Sequence, residues 1–401
     1  MKRRKFIQKS ALASVGTMMI PGFVKAYEAI NMNQPINHHK KLVIIQLSGG
    51  NDGLNTVVPF RNDTYYELRP RLAVPKTKVL KLNDELGLNP ILSGLKNIYD
   101  QGWMSVINNV GYPNPDRSHF RSMDIWHTAS DSNEYLTTGW LGRYLDSECG
   151  HNCKTAHEVI EVDDTLSLAT KGSNIKGLAL TNPKKLYRST QNRGFKMLAN
   201  HAKSHDHEHN VGYLYKTLAE TVSSAQYIHQ KSKVYQSKAA YPRDAFARRL
   251  KTIAELISSG IDTKVYYAEM TGFDTHVNQK NRQERLLKAY SDAVKVFVED
   301  LKKNNRLDEV LIMTFSEFGR RVKQNASNGT DHGTANNVFI MGGKLGKAGI
   351  YNESPNLVNL DRGDLKYSID FRQLYATLLK NHLGVNDKKI LGKNFDKLSF
   401  V

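Results

Sequence analysis

Cysteines and long apolar runs are both scarce in this 401-residue sequence. After residue 26, no apolar run approaches the roughly 20 residues that a helix needs to cross a bilayer. No basic helix is interleaved with aromatic residues, which argues against a nucleic-acid partner. No Ser/Pro-rich linker divides residues 41–401, so we expect one large, soluble domain without a transmembrane segment.

The two cysteines, Cys149 and Cys153, lie four positions apart in the segment ECGHNC. In an oxidising compartment they would close a small disulfide loop. A metal site that includes His151 is the alternative. Two thiolates in one short loop, without a second pair of ligands, make a poor zinc site. The pattern therefore favours the disulfide.

The first 26 residues have the pattern of an export signal. The pair Arg3-Arg4 is followed by Phe6, then by an apolar stretch up to Val24 and a small-residue cleavage site. This pattern favours a twin-arginine signal over an ordinary Sec signal, so we expect the twin-arginine translocase as a partner during export. The mature protein would then be periplasmic, secreted or on the cell surface. Residues 27–40 are expected to form a linker.

The charge of the chain is strongly basic. Residues 1–26 contain six basic and no acidic residues, so their removal lowers the formal net charge from +18 to +12. A positive field attracts anions, which suits phosphate esters, sulfate esters or an anionic glycan as ligands. A basic surface is equally a general solubility feature.

Residues 41–401 alternate between short apolar runs and longer amphipathic segments, which predicts an α/β fold with a mostly parallel sheet. Residues 41–47 read as a buried first strand that ends in a glycine-rich turn. Further strands are predicted at 104–108, 177–180, 264–270, 309–315 and 337–341, and helices at 91–100, 119–129, 244–258, 283–303 and 371–382.

Residues from about 184 to 240 differ in composition from the rest of the chain, being polar and rich in lysine. They are predicted to form a helical insertion or cap over the sheet. They include His205, His207 and His209, whose spacing is more typical of an incidental polar run than of a metal site.

Acidic and histidine residues recur just after the predicted strands. In open parallel sheets, the carboxyl ends of the strands form the ligand crevice. Each residue alone is equally consistent with an ordinary turn, but together they offer oxygen and imidazole ligands along one edge. We therefore expect one or two divalent cations, for example zinc, manganese, calcium or magnesium. The candidate ligands are Asp52, Asp274, His276, Glu317, Asp331 and His332.

A second set of candidate residues surrounds the start of the predicted helix at 119–129. A hydroxyl at a helix N-terminus lies where backbone N–H groups favour an anion, so Ser118 could attack a phosphoryl or sulfuryl group. A helix N-cap is the alternative role for this serine. Arg117 and Arg121 would suit bidentate recognition of the anion, and His119 is a further candidate catalytic residue.

Several long motifs resemble those of a widespread bacterial family of exported proteins known as domain of unknown function 1501. They include LSGGNDGLNTVVP, VGYPNPDRSHFRSMDIW, GFDTHVNQ, MTFSEFGRRVKQN and GTDHGTAN, and the similarity covers nearly all of residues 42–401. That family looks like a branch of the alkaline phosphatase and sulfatase superfamily. The resemblance implies a three-layer α/β sandwich like that of alkaline phosphatase, and metal-dependent hydrolysis of phosphate or sulfate esters.

The resemblance also implies roles for individual residues. Asp52 would bind one metal, and Ser118 would be the nucleophile and a metal ligand. Asp274 and His276 would hold the second metal. Glu317 and His332 would complete the two sites.

The sequence departs from the superfamily at two points. Where the superfamily usually has Asp-His, this chain has Glu317-Phe318, so one imidazole ligand is missing unless Asp331 or His119 replaces it. Formylglycine sulfatases need a Cys or Ser before Pro-x-Arg, but here Pro115-Asp116-Arg117 follows Pro113-Asn114. This excludes a formylglycine sulfatase, and it leaves one metal as an alternative to two.

Two functions from different classes follow from these patterns. The leading interpretation is an exported, metal-dependent hydrolase of phosphate or sulfate esters. The alternative is a non-catalytic periplasmic or surface protein that binds anionic ligands on the same scaffold. A structural role in surface machinery is a third possibility, for which the sequence gives no specific signal.

Overall fold

The computed structural model describes residues 40–148, 156–195, 197 and 210–401. Four sequence-based predictions lie outside the described residues: the export signal, all but the last residue of the linker, the Cys149–Cys153 disulfide and the histidine run at 205–209. In the described part of the chain, no helix combines the length and the apolar character needed to span a membrane.

The described residues contain twelve strands. They are β1 (Lys41–Ser48), β2 (Val57–Val58), β3 (Leu80–Lys81), β4 (Gly87–Leu88), β5 (Met104–Gly111), β6 (Val159–Glu161), β7 (Leu178–Ala179), β8 (Val265–Thr271), β9 (Val310–Phe315), β10 (Asn336–Gly342), β11 (Gly349–Ile350) and β12 (Ile369–Asp370). Nine of them form a central sheet in the order β11-β5-β10-β9-β1-β8-β6-β7, with β12 also paired to β5. The other three form a small sheet in the order β2-β4-β3.

The described α-helices flank the central sheet. They are α1 (Gly53–Thr56), α2 (Asp63–Leu68), α3 (Ser93–Asp100), α4 (His119–Thr128), α5 (Trp140–Glu148), α6 (Pro183–Thr190), α7 (Asn210–Lys231), α8 (Ala245–Ser258), α9 (Gln279–Lys303), α10 (Phe371–Thr377) and α11 (Asp387–Leu391). Short 3₁₀ turns lie at Lys76–Lys78, Ala156–Glu158, Leu168–Thr170 and Leu307–Glu309, and α10 continues into a π-helical segment at Leu378–Leu383.

Both faces of the sheet are covered, which explains why β1 is a continuous apolar run. Leu42 and Ile44 pack in the core formed with α4, α5 and α10. Val43 and Ile45 point to the opposite face, into the core formed with α3, α8 and α9. Each such fully buried side chain contributes roughly 1.5–3 kcal/mol. The result is a sandwich of three layers, helix, sheet and helix.

The predicted fold class is confirmed: a mostly parallel central sheet with helices on both faces. The predicted strands and helices in the described part are present, with bounds that shift by a few residues. β10 is the exception to parallel order, since it runs antiparallel to both of its neighbours, β5 and β9.

The topology brings several loops to one edge of the sheet. β9, β1 and β8 are adjacent and parallel, so their carboxyl ends meet at that edge. Because β10 is antiparallel to β9, the residues that precede β10 arrive at the same edge. β5 also ends there, and residues 112–118 lead from it into α4.

The described helices of the 184–240 segment lie towards one side of the sheet. α6 and α7 pack on each other, and α7 contacts the turn that precedes β6. His157 in that turn bonds Ser224 of α7 at 3.1 Å. Since β6 is parallel to β8, this contact lies at the opposite ends of the strands from the loops described above. The boundaries of an inserted domain stay a prediction.

Candidate metal centre

The loops after β1, β8 and β9 touch one another through Gly49. Its backbone has φ of +118°, and a Cβ atom there would lie 2.3 Å from the backbone nitrogen of Asp274. The Gly49 N–H donates to Glu317 Oε1 at 2.8 Å. Only glycine allows this approach without moving a neighbouring backbone. Gly49 therefore holds the three loops in contact.

Two histidines have one ring nitrogen fixed by a neighbouring oxygen. His119 Nδ1 lies 2.9 Å from Glu317 Oε1, and His332 Nδ1 lies 2.8 Å from the backbone oxygen of Arg117. A carbonyl or carboxylate oxygen only accepts a hydrogen bond, so each Nδ1 must carry the proton. In the neutral ring, Nε2 is then left with a free lone pair.

His276 has a similar but longer contact. Its Nδ1 lies 3.5 Å from Asp331 Oδ1, which again favours the proton on Nδ1. Metal-binding histidines usually donate their second ring N–H to a carboxylate or a backbone carbonyl in this way. All three imidazoles thus have the orientation of ligands.

The free Nε2 atoms converge on Asp274. The Nε2 atoms of His276 and His332 are 2.9 Å apart, and Asp274 Oδ1 lies 3.0 Å from the first and 3.3 Å from the second. His119 Nε2 lies 3.5 Å from Asp274 Oδ2 and is buried without a hydrogen-bond partner. The ligand atoms of His119, Asp274 and His332 all lie within 4.8 Å of one another.

This set of atoms is rich in acceptors and poor in donors. With the protons on Nδ1, three lone pairs and a carboxylate face each other, and Arg320 donates to this set, at 2.9 Å from Asp274 Oδ1 and 3.5 Å from His276 Nε2. Acceptors at such distances repel, and a cation between them would relieve the repulsion that remains. Three imidazoles and one carboxylate are ligands that zinc and related divalent metals accept. The four side chains, which we call the His/Asp cluster, are His119, Asp274, His276 and His332. They fit a divalent cation.

Arg320 ties the loops of the His/Asp cluster together. Its fully buried guanidinium donates to Asp274 Oδ1 at 2.9 Å. It also donates to the backbone oxygens of Gly49, Gly50, Phe273 and Thr330, at 2.5–3.1 Å. Sequence reasoning missed this residue, although its position three residues after Glu317 in the strand-end motif was an available signal.

The charged groups of the cluster have shifted pKa values. Burial would raise the pKa of Asp274, but the hydrogen bond and the positive charge of Arg320 outweigh it and lower this pKa to about 2. The hydrogen bond to Glu317 raises the pKa of His119 against the opposing effect of burial. Burial lowers the pKa of His332. Asp274 is therefore ionised at neutral pH, as a metal ligand must be.

The structure places the other three predicted metal ligands differently. Glu317 and Asp331 contact the Nδ1 atoms of His119 and His276, a position from which they would orient the two rings. Asp52 is buried, and its Oδ2 accepts from Arg69 Nη1 at 2.6 Å and from Gln279 Nε2 at 2.5 Å. Its charge is thus balanced by a guanidinium, a pairing that sequence reasoning did not foresee.

Ser118 lies beside the cluster through its two neighbours in the chain. The Arg117 carbonyl binds His332, and His119 is a member of the cluster. Ser118 is the N-cap residue of α4, but its hydroxyl makes no capping bond. Its N–H donates to Asp116 Oδ1 at 2.7 Å. The exposed hydroxyl is therefore free of the N-cap role that serine commonly has.

The two candidate arginines have different surroundings. The Arg121 guanidinium donates to the backbone oxygens of Asp131, Ser132 and Glu134 and lies over the Tyr135 ring, so it holds that loop. Arg117 instead forms an ion pair with the fully buried carboxylate of Asp364.

Asp364 also faces a second guanidinium. Arg321 Nε lies 3.8 Å from its other oxygen, so one buried carboxylate lies between two partly exposed arginines, Arg117 and Arg321. Burial raises the pKa of Asp364, and the two guanidinium charges oppose that shift. Nothing in the sequence pattern singled out Asp364.

The family model described as "Protein of unknown function (DUF1501)" matches residues 102–398, which confirms the family resemblance of the motifs. No curated protein matches this sequence significantly.

Three solved structures are similar to this chain at low sequence identity. The PsFucS1 sulfatase from Pseudoalteromonas sp. is 11% identical, with 94% of this chain and 74% of that chain covered and a TM-score of 0.41. The lipoteichoic acid synthase LtaP from Listeria monocytogenes is 8% identical, with 90% and 74% covered and a TM-score of 0.40. A protein in the alkaline phosphatase superfamily from Vibrio parahaemolyticus is 11% identical, with 88% and 69% covered and a TM-score of 0.36.

Proposed function

We propose that this chain, which belongs to the DUF1501 family of proteins of unknown function, is an exported metal-dependent hydrolase of phosphate or sulfate esters. The observation that carries the proposal is the His/Asp cluster, in which three Nε2 atoms converge on Asp274 while each Nδ1 faces an oxygen. His119, Asp274, His276 and His332 would hold one divalent cation.

One cation is favoured over two because of the surroundings of Asp52. A second metal would need that carboxylate as a ligand, but Arg69 and Gln279 bind its Oδ2, and among the described residues Asp52 joins no cluster of three or more potential ligands that could share a cation with its unpartnered Oδ1. Asp274 also has a guanidinium partner, Arg320, but unlike Asp52 it lies among three imidazoles. The single-metal alternative from the sequence is therefore the version that we propose.

The chain's own residues divide the chemistry between them. When bound, the cation would polarise the ester and stabilise the ionised form of a neighbouring hydroxyl. The Ser118 hydroxyl is exposed and free of a capping bond, so its oxygen would attack the phosphorus or sulfur atom while the bond to the alcohol oxygen of the ester breaks. The alcohol would leave with the serine proton, and water would then hydrolyse the phosphoserine or sulfoserine. Arg117, held by Asp364, would bind the non-bridging oxygens of the ester.

The cellular setting is proposed from the sequence. The pattern of residues 1–26 supports export by the twin-arginine translocase to the periplasm, the cell surface or the medium. A formal net charge of +12 after removal of those residues suits an anionic substrate.

The experiment combines metal analysis with turnover. Protein purified without chelators should contain about one divalent ion per chain and should hydrolyse 4-nitrophenyl phosphate or 4-nitrophenyl sulfate. The double variant Asp274→Ala, His276→Ala should lose both the ion and the activity. Ser118→Ala should lose activity and keep the ion.

His229→Gln provides the matched control, since this histidine lies on α7 and stacks on Tyr187, away from the cluster residues. It should retain both metal and turnover. A wild-type protein that contains no metal and takes up none from added zinc or manganese would overturn the proposal. Metal binding without turnover of either ester would instead support a non-catalytic protein that binds anionic ligands.

A further inference from the structure

A cavity of about 450 Å³ opens beside the His/Asp cluster. Its walls come from the loop between β5 and α4, from the start of the loop after β9, and from residues 361–367. We call it the ring pocket. Pockets of this size hold small organic molecules.

The ring pocket and the His/Asp cluster share one wall, the side chain of Phe318. Its ring centroid lies 4.9 Å from that of His119 and 4.6 Å from that of His332. Phe318 also lines the pocket. Phe318 thus contacts two cluster imidazoles and also belongs to the pocket lining.

A second link joins the pocket to the candidate nucleophile. Asp116 lines the pocket, and its Oδ1 accepts the N–H of Ser118 at 2.7 Å. An ester bound with its anionic group at Ser118 would therefore have the pocket nearby for its organic group.

The walls are aromatic on several sides. Tyr112, Phe318 and Tyr367 all line the pocket, together with Leu365. Tyr367 is 39% exposed although it is a large aromatic residue, so its ring is available to a ligand. Tyr112 and Phe318 are buried, so the exposed Tyr367 ring is available for stacking with a ligand ring, which adds about 0.5–1.5 kcal/mol per aromatic pair.

The charges that line the pocket do not favour a second anion. Asp116 and Asp361 contribute two carboxylates, and Lys366 contributes one ammonium group whose Nζ donates to Asn359 at 2.6 Å. The lining is thus slightly negative, in contrast to the basic charge of the whole chain. A polyanionic chain in this pocket would meet repulsion.

We propose that the ring pocket binds the organic part of the ester, and that this part is a single uncharged ring with an apolar face, such as one sugar unit or an aryl group. The proposal rests on the ester hydrolysis proposed above and names the substrate class of that site. It excludes a densely charged polymer, whose neighbouring anionic groups would have to occupy the pocket.

The experiment compares benzyl, ethyl and glucose esters. All are esters of the same anion, either phosphate or sulfate, whichever the metal-loaded enzyme hydrolyses. Benzyl and ethyl esters have leaving alcohols of similar acidity, so a difference in kcat/KM reports on binding of the ring. The benzyl ester should exceed the ethyl ester by about tenfold, which corresponds to roughly 1.4 kcal/mol. The kcat/KM of a glucose 6-ester, compared with that of the benzyl ester, shows whether the pocket prefers a sugar ring or an aryl ring.

Tyr367→Ala should reduce the benzyl-to-ethyl ratio to about one. Val358→Ala is the matched control, because Val358 is an exposed apolar residue outside the lining, and it should leave the ratio unchanged. The glucose 1,6-bis-ester should be a poorer substrate than the glucose 6-ester. Equal kcat/KM for benzyl and ethyl esters, or a faster bis-ester, would overturn the proposal.

Binding measurements keep this proposal separate from the proposed hydrolysis. Benzylphosphonate and ethylphosphonate resemble the esters but are not hydrolysed, and calorimetry can measure their affinity for the metal-loaded chain. Tighter binding of benzylphosphonate that is lost in Tyr367→Ala would support the ring pocket even if no ester is turned over. Equal affinities would contradict it even if turnover is observed.

Discussion

The Nε2 atoms of His276 and His332 lie 2.9 Å apart, and Asp274 Oδ1 lies within 3.3 Å of both. The neighbours of each Nδ1 favour the tautomer that leaves both Nε2 lone pairs directed into this space. The Arg320 guanidinium contacts Asp274 Oδ1 and His276 Nε2, and a bound cation would offset the repulsion that remains between the lone pairs.

Glu317→Gln should weaken metal binding without abolishing it. The Gln side chain can still accept the His119 Nδ1–H and the Gly49 N–H, but it lacks the negative charge that strengthens His119 as a ligand. Loss of such a supporting group typically costs about 10–100-fold in metal affinity. Competition with a fluorescent zinc chelator measures the change. A complete loss of metal would instead mean that Glu317 is itself a ligand.

Asp52→Asn should leave the metal content at about one ion per chain and reduce stability. The variant leaves the buried Arg69 guanidinium without its charged partner, which costs about 3–5 kcal/mol. Urea unfolding and elemental analysis test the two parts of this prediction. A fall in metal content from two ions to one would show that Asp52 binds a second cation.

The double variant Asp52→Asn, Arg69→Met provides a second route if the single variant does not fold. It removes both members of the ion pair, so no uncompensated charge stays in the core. It should recover part of the lost stability and should also retain one ion.

Asp364→Asn should raise KM for the anionic ester by about tenfold, about 1.4 kcal/mol, with a smaller change in kcat. Without the carboxylate, Arg117 and Arg321 lose the group that holds them in place. Metal content should stay unchanged, since Asp364 does not belong to the His/Asp cluster. Asp100→Asn, which breaks an exposed pair with Lys96, is the control and should leave KM unaltered. A loss of metal in Asp364→Asn would contradict the proposed role.

Stability should fall as the pH is lowered from about 6.5 to 4 because of His127. Burial lowers the pKa of this histidine from 6.5 to about 4. Between these two values the unfolded chain binds a proton that the folded chain does not, so acid favours unfolding. The resulting loss of stability is about 2 kcal/mol at pH 5, and there is no such loss above pH 7. Urea unfolding at pH 7.5 and pH 5 measures it, and His127→Gln should show a smaller loss.

The sequence allowed the fold class and most of the strands to be predicted, because a sheet covered on both faces needs continuous apolar strands. It also indicated the strand-end loops that carry Asp274, His276 and His332. The antiparallel direction of β10 was not predicted, since residues 316–335 could equally have formed a crossover to a parallel strand. That direction nevertheless brings His332 to the same edge.

The partners of individual side chains were beyond the sequence pattern. Asp52 pairs with Arg69, and Asp364 pairs with Arg117, 247 positions away. Neither contact follows a helix or strand period, so neither can be read from spacing. The contact between His119 and Glu317 likewise depends on side-chain rotamers, which only the folded structure defines.

Arg320 has a consequence for how the site would acquire its ion. One guanidinium joins the turns after β1, β8 and β9 and also Asp274, so the loops are held in place by the protein itself. We therefore expect a chelator to strip the ion without unfolding the chain, and a different divalent ion to refill the same position afterwards. Folding and metal loading would then be separate events, and the available metals could decide which ion is carried.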